Sequence, residues 1–258
     1  GDRHVAARRT GRGRLPARSG GTIASTVVTD LPRRDPGRLV PSDPMRIAVL
    51  SDIHSNLIAL DAVLDHAGDV DAVWHLGDVV GYGPDPDGVV ERLQEVDAIG
   101  VRGNHDAAAL GGPEIQWFNP DARRAAEWTA SVIAPETSAW LSDLPVRRAI
   151  GGMTLVHGSP RDPLREYVTT VDLARTAFET IATDHGLHGH THVPVGFVLE
   201  ATRIGIKEPL DGQALDLTDR RTFLNPGSVG QPRDGDPRAS YLVLDLDGTS
   251  GGGRASWH

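Results

Sequence analysis

From residue 45 onward, apolar side chains fall into short runs whose spacing switches between two periods. The run 46–50 is almost continuous, as in a strand buried on both faces, whereas Leu57, Leu60 and Leu64 recur at three and four and predict a helix over 55–67. The alternation repeats with a strand over 70–76, a helix over 86–96 with proline in its first turn, and a strand over 98–101. Asn119-Pro120 opens a helix predicted through Ile133, with Ala122, Ala125, Ala126 and Thr129 on its apolar face. Pro135 opens another, to about Leu141. The second half is richer in strands. Residues 146–150 and 153–156 predict a hairpin turning at Gly151-Gly152, and 171–182 a helix. Short strands are expected around Leu187 and over 195–199, 222–224 and 240–246. Early strand–helix alternation followed by hairpins predicts an α/β fold of two stacked mixed sheets flanked by helices.

Residues 1–44 break this pattern. They are rich in Arg, Gly and Pro, show neither period, and are expected to be a disordered extension before a catalytic domain over 45–258. The chain stops soon after Gly251-Gly252-Gly253, where no strand is predicted, so a missing C-terminal piece is suspected. Residues 1–44 hold nine Arg against four Asp, and of the net −9 of the whole chain the remainder therefore carries −14. So acidic a body counts against nucleic acid and anionic membrane as partners. No apolar run approaches a membrane span, and 22–28 is too short and polar for a signal-peptide core, so a cytoplasmic location is expected. With no cysteine, disulfides, thiolate ligands and a Cys nucleophile are excluded. Nothing bears on self-association, and a homo-oligomer stays open.

Metal-liking side chains gather in five blocks: Asp52-Ile53-His54, Gly77-Asp78, Gly103-Asn104-His105-Asp106, His157-Gly158 and Gly189-His190-Thr191-His192. Each abuts a run that reads as a strand. Carboxylate, amide and imidazole groups suit hard or borderline divalent cations, and their number suits two. Two ions side by side are a device for hydrolysing phosphate esters. Asp52 and His54 are two apart, so both can grip one ion past a strand end. Asp78 offers two oxygens and could bridge two ions; Gly-Asp alone more often makes a turn. Asn104 could ligate through its carbonyl or simply cap a helix. His105, next to it, is better placed as a proton donor, with Asp106 fixing its tautomer and raising its pKa. His190 and His192 could serve one ion or two neighbours. His157 taken alone would be a core residue; its strand-end context places it with the others. His75 and His188 are expected to hydrogen-bond in the interior, and Trp117, Trp128 and Trp140 to be core or helix-packing residues.

The ordered set D-x-H, G-D, G-N-H-D, H-G and G-H-T-H, spread from Met45 to about Asp247, resembles the calcineurin-like metallophosphoesterase superfamily. The resemblance implies a four-layer αββα sandwich. It implies that Asp52, His54 and His192 hold one metal and Asn104, His157 and His190 the other, bridged by Asp78. His105 would then be the acid that protonates the leaving oxygen, with Asp106 orienting it. Gly81-Tyr82-Gly83-Pro84, His157-Gly158-Ser159-Pro160 and Asn225-Pro226-Gly227-Ser228 read like the small bacterial and archaeal phosphodiesterases of that superfamily. Its Ser/Thr protein phosphatases carry a phosphate-binding Arg soon after the bridging Asp, where this chain has Val79-Val80-Gly81-Tyr82.

The function expected is hydrolysis of a small phosphate ester, most simply a nucleotide-like phosphodiester, through a metal-bound hydroxide. The metals would be two of manganese, iron, zinc, nickel or cobalt. Arg161 and Arg233 could hold phosphate, although surface salt bridges are the plainer reading of both. The alternatives are a phosphomonoesterase or protein phosphatase, and a noncatalytic scaffold of the same fold.

Overall fold

The structure is a computed structural model that describes residues 44–248 and 252–258. The expected disordered extension therefore lies outside the described residues, apart from Pro44. In chain order the first half contains β1 (Met45–Leu50), α1 (Leu57–Ala67), β2 (Ala72–His75), α2 (Pro86–Glu95), β3 (Ile99–Gly100), α3 (Asn104–Ala109), a 3-10 turn (Pro113–Trp117), α4 (Pro120–Val132) and α5 (Pro135–Asp143). The second half contains β4 (Arg147–Ile150), β5 (Met153–Val156), α6 (Val171–Thr180), β6 (His185–Leu187), β7 (Val195–Glu200), β8 (Arg203–Lys207), β9 (Ala214–Asp216), β10 (Arg221–Asn225), β11 (Leu242–Leu246) and β12 (Gly253–Trp257).

Two six-stranded mixed sheets form, ordered β3-β2-β1-β11-β12-β9 and β4-β5-β6-β10-β7-β8. In the first, β1, β2 and β3 run parallel; in the second, β5, β6 and β10 do. The remaining pairings are antiparallel.

The side-chain alternation of each strand separates the layers. Ile47 and Val49 of β1, with Leu242 and Leu244 of β11, meet Leu155, Leu187 and Leu224 of the second sheet in the central core. Ala48, Leu50 and Val243 point the other way, onto Leu60 and Val63 of α1, Val90 and Leu93 of α2 and Leu141 of α5. On the far side Phe197 and Phe223 pack on Ala174, Ala177 and Phe178 of α6. Helices, two sheets and helices make the four-layer αββα sandwich. Because both faces of β1 are covered, its sequence shows a continuous apolar run instead of an alternating one. The helix starts follow local chemistry: Asn56, Asp85, Asn119 and Thr170 each accept a first-turn N–H, and prolines open α2, α4 and α5.

Three strands escaped the sequence reading. β8 and β9 are short and largely exposed, so neither shows an apolar run. β12 pairs with β11 and β9 in the stretch after the glycines where no strand was predicted. No helix among the described residues is long and apolar enough to cross a membrane.

Candidate metal centre

All five sequence blocks lie just beyond C-terminal strand ends, where parallel strands deliver their loops to one edge. Asp52 and His54 follow β1, Asp78 follows β2, and Asn104 opens α3 after β3. His157 follows β5, while His190 and His192 follow β6. One parallel triplet from each sheet thus supplies the site. Asp52, His54, Asp78, His190 and His192 all have φ between 49° and 67°, the left-handed region that costs a non-glycine residue on the order of 1 kcal/mol. Such strain persists where the surroundings impose it, and it concentrates at functional sites. Gly77 (φ 89°) and Gly103 let the β2 and β3 loops touch backbone to backbone. A Cβ on Gly103 would lie 2.1 Å from Oδ1 of Asp78.

Two ligand sets result. Asp52, His54, Asp78 and His192 bring one potential ligand atom each within 4.8 Å of one another, and so do Asp78, His157 and His190. The Asn104 side-chain oxygen joins the second set, 2.9 Å from Nε2 of His157. Asp78 belongs to both. Its Oδ2 is 3.6 Å from Nε2 of His54 and 3.3 Å from Nε2 of His157, while its Oδ1 accepts the His105 N–H at 2.8 Å.

The imidazoles are held by backbone carbonyls. Nδ1–H of His54 donates to Val80 (3.1 Å), that of His157 to Leu76 (2.9 Å) and that of His192 to Gln231 (2.5 Å), whereas His190 donates from Nε2 to Arg165 (3.2 Å). In a ring that carries no second proton, the opposite nitrogen then turns an acceptor lone pair inward. His54 and His192 face each other Nε2 to Nε2 at 3.2 Å, and His157 and His190 Nε2 to Nδ1 at 3.1 Å. Oδ1 of Asp52 is buried with no hydrogen-bond partner, 3.2 Å from Nε2 of His192. Converging acceptors in a buried place need positive charge among them. Nitrogen and oxygen donors without thiolate, each imidazole oriented by a carbonyl, fit divalent transition ions.

The protonation states agree. Burial holds His54 and His190 well below the usual imidazole range. His157 is the exception: burial would lower it, but the Asp78 carboxylate overrides that and lifts it to about 9. Burial would raise Asp78, yet the His157 charge brings it well below the usual carboxylate range. A proton on His157 therefore supplies part of the positive charge this cluster requires.

His105 packs its ring on Phe118 (4.4 Å, 28°) and Tyr82 (4.6 Å), and its Nδ1 is buried without a partner. Burial, partly opposed by Asp78, lowers it to about 4, so the ring is neutral at pH 7. Asp106 does not touch that ring, which corrects the expectation that it fixes the His105 tautomer. Its oxygens accept from the N–H groups of Val80 (3.0 Å) and Gly103 (2.8 Å), so it clamps the β2 and β3 loops together. Burial, reinforced by the Asp78 charge, pushes the Asp106 carboxyl up to about 6.

A cavity of about 150 Å³ opens over the cluster, lined by Asp78, Asn104, His105, Tyr82, Tyr167 and Arg233 among others. Arg233 sits near enough to both tyrosines for its charge to act on their hydroxyls, and its Nη2 donates to Oε1 of Gln231 at 2.7 Å. The salt-bridge reading thus describes Arg161, which pairs with Glu166 at the surface, but not Arg233. Larger grooves exist elsewhere, one of about 450 Å³ beside His66 and Tyr241, without such a ligand cluster.

Other expectations need correcting. His75 lies in the interior with neither ring nitrogen hydrogen-bonded, packed instead near Trp140. His188 does hydrogen-bond in the interior as expected, its Nδ1 lying 3.4 Å from the Asn225 amide, while its Nε2 is buried without a partner. Trp117 and Trp128 are exposed at 59% and 42%, so neither is a core residue. Sequence reasoning missed Tyr167, stacked on His190 at 3.8 Å, because an isolated Tyr in a loop carries no spacing signal. It also missed the carbonyls that orient the imidazoles, which any residue type can provide.

Comparison with known proteins agrees with this arrangement. Residues 45–249 match the family model described as the calcineurin-like phosphoesterase superfamily domain. Phosphodiesterase YfcE of Escherichia coli K12 is 29% identical over 215 residues, spanning 79% of this chain and 89% of its own length. Uncharacterized protein MJ0912 of Methanocaldococcus jannaschii is 36% identical over 212 residues, spanning 77% and 82%. The crystal structure of a metallophosphoesterase from Sphaerobacter thermophilus superposes with a TM-score of 0.74 at 42% identity, covering 84% of this chain and 88% of that one.

Proposed function

The chain belongs to the calcineurin-like phosphoesterase superfamily and is a hydrolase of phosphoester bonds, and on that premise we propose a dinuclear metal-dependent phosphodiesterase acting on a small nucleotide-like or similar ester. The observation that carries the reading is the position of Asp78 Oδ2 between two otherwise separate ligand sets, within 3.6 Å of one and 3.3 Å of the other. Asp52, His54 and His192 would hold one ion and Asn104, His157 and His190 the second, with Asp78 common to both. Bound divalent ions supply Lewis acidity toward phosphate and lower the pKa of water.

The protein side chains do the rest. A 150 Å³ cavity accepts a phosphate-sized group, and Arg233 at its wall, held by Gln231, can donate to a phosphate oxygen. His105 lies at the same wall with Nδ1 enclosed, which leaves Nε2 to hand a proton to the departing oxygen. For that role the ring must first take up a proton, which phosphate charge arriving beside it favours by raising its proton affinity. On donating it the ring returns to the neutral form. A diester is favoured over a phosphoprotein because the residues after Asp78 provide no second phosphate-binding Arg. Similarity to a phosphodiesterase over most of the chain supports the same choice.

The test is a screen of phosphomonoesters, diesters, cyclic nucleotides and dinucleotide polyphosphates with manganese, iron, zinc, nickel and cobalt in turn. Metal-dependent diester turnover is expected, and its absence with every metal defeats the proposal. Replacing His105 by Ala should lower kcat on an alkyl ester by roughly 10²–10⁴, and far less on a p-nitrophenyl ester, whose leaving group needs no proton. Equal losses on both esters would remove His105 from the acid role.

A further inference from the structure

Next to the metal cavity lies a wider cleft of about 520 Å³, and the two share Asn104, Trp117, Phe118, Tyr167 and His190 as common walls. Its outer part is aromatic. Trp117 at the end of the 3-10 turn is 59% exposed, and Tyr167 is 47% exposed although one face of its ring stacks on His190 at 17°. Large rings left open beside a polar cavity hold apolar surface in water, and a grouped set of them marks a binding surface. The guanidinium of Arg165 lies over one face of the Trp117 ring, 4.6 Å from its centroid, so a planar cation already stacks there and a base would add to that stack or use the opposite face. Glu114 at the same cleft supplies an acceptor for an amine.

We propose, resting on the phosphoester reading above, that this cleft receives a nucleobase, stacked on Trp117 and Tyr167, whose phosphate reaches the adjoining metal cavity. Three features select that ligand chemistry. The walls are flat and aromatic, which suits a heteroaromatic ring better than an alkyl chain. Hydrogen-bonding groups sit around them, which suits a polar base better than a plain aryl group. The net −14 of the chain beyond residue 44 disfavours a long polyanion, so a single nucleotide unit fits better than a nucleic acid strand. Trp117 is then part of the substrate site, although its isolated position in the sequence gave no reason to place it there.

The experiment is calorimetric titration of the manganese-supplemented protein with AMP and with ribose 5-phosphate, which share the phosphate and sugar and differ by the base. AMP is expected to bind at least about tenfold tighter, in line with the contribution of base–aromatic stacking. In Trp117→Leu the ratio of the two affinities should fall below about threefold, and Tyr167→Leu should reduce it as well. Both side chains are substantially exposed, so folding is expected to survive either change. Equal affinities in the unaltered protein, no AMP binding, or a preference that persists in both variants would overturn the proposal. Failure to hydrolyse any ester would instead defeat the phosphodiesterase reading, and the base preference would still be measured.

Discussion

His157 holds a proton that an incoming ion has to displace. With its affinity lifted to about 9 by Asp78, the ring is charged at pH 7 in the ion-free protein, and a ligand must be neutral. Metal affinity should therefore fall about tenfold for each pH unit below about 9, as long as this one proton is displaced. Calorimetry in buffers of different ionisation enthalpy should record close to one proton released at pH 7; no proton release would mean that His157 is not a ligand. At this scale the sequence was informative where chemistry is carried by a residue type. Asp52, His54, Asp78, Asn104, His157, His190 and His192 announce themselves as candidate ligands by identity and strand-end position, and the fold brings them together. Asp106 misled because adjacency to His105 in sequence suggests contact, whereas the first turn of α3 turns its carboxylate back onto Gly103 and Val80. Tyr167 and Arg233 reach the site only through loop geometry, which periodicity does not encode.

The loops after β2 and β3 set the position of Asp78, and the closeness of Gly103 to that carboxylate leaves no room for a methyl group. Gly103→Ala should displace Asp78, weaken metal binding by at least about tenfold and destabilise the fold by roughly 1–3 kcal/mol. Paired metal titration and urea unfolding check this; unchanged affinity would show that the loops tolerate independent movement. Elements that bury a face were readable from the chain. The hairpin of β4 and β5 turns at Gly151-Gly152 as its spacing predicts, and α1, α2 and α4 begin within two residues of the predicted starts. Exposed strands were not. Arg203–Lys207 alternates weakly and pairs only with β7 at the sheet edge, so its strand character comes from a neighbour and not from its own pattern.

Two buried imidazoles make the whole molecule sensitive to acid. Burial lowers His75 and His188 to about 3, with the Arg148 charge contributing for His75 and a backbone hydrogen bond partly opposing for His188. Both rings are neutral in the fold but take up protons below about pH 6.5 in the unfolded chain. Their contribution to stability is therefore complete above about pH 6.5 and drains away as the pH falls toward 3, with about 2 kcal/mol per ring lost by pH 5. Urea unfolding at pH 7 and pH 5 should show that loss, and His75→Phe should remove about half of the difference. A pH-independent stability would contradict the buried neutral state. The fold class and the αββα layering were legible because the central strands carry continuous apolar runs. The meeting of two parallel triplets at one edge was not, since strand order lies in pairings between distant segments. That meeting places Asp78 between the two ligand sets, and anomalous diffraction from manganese-loaded crystals tests it most directly. Two peaks are expected, one against Asp52, His54 and His192 and the other against Asn104, His157 and His190, each about 2.0–2.6 Å from an Asp78 oxygen. A single peak, or two that do not share Asp78, would contradict the dinuclear centre.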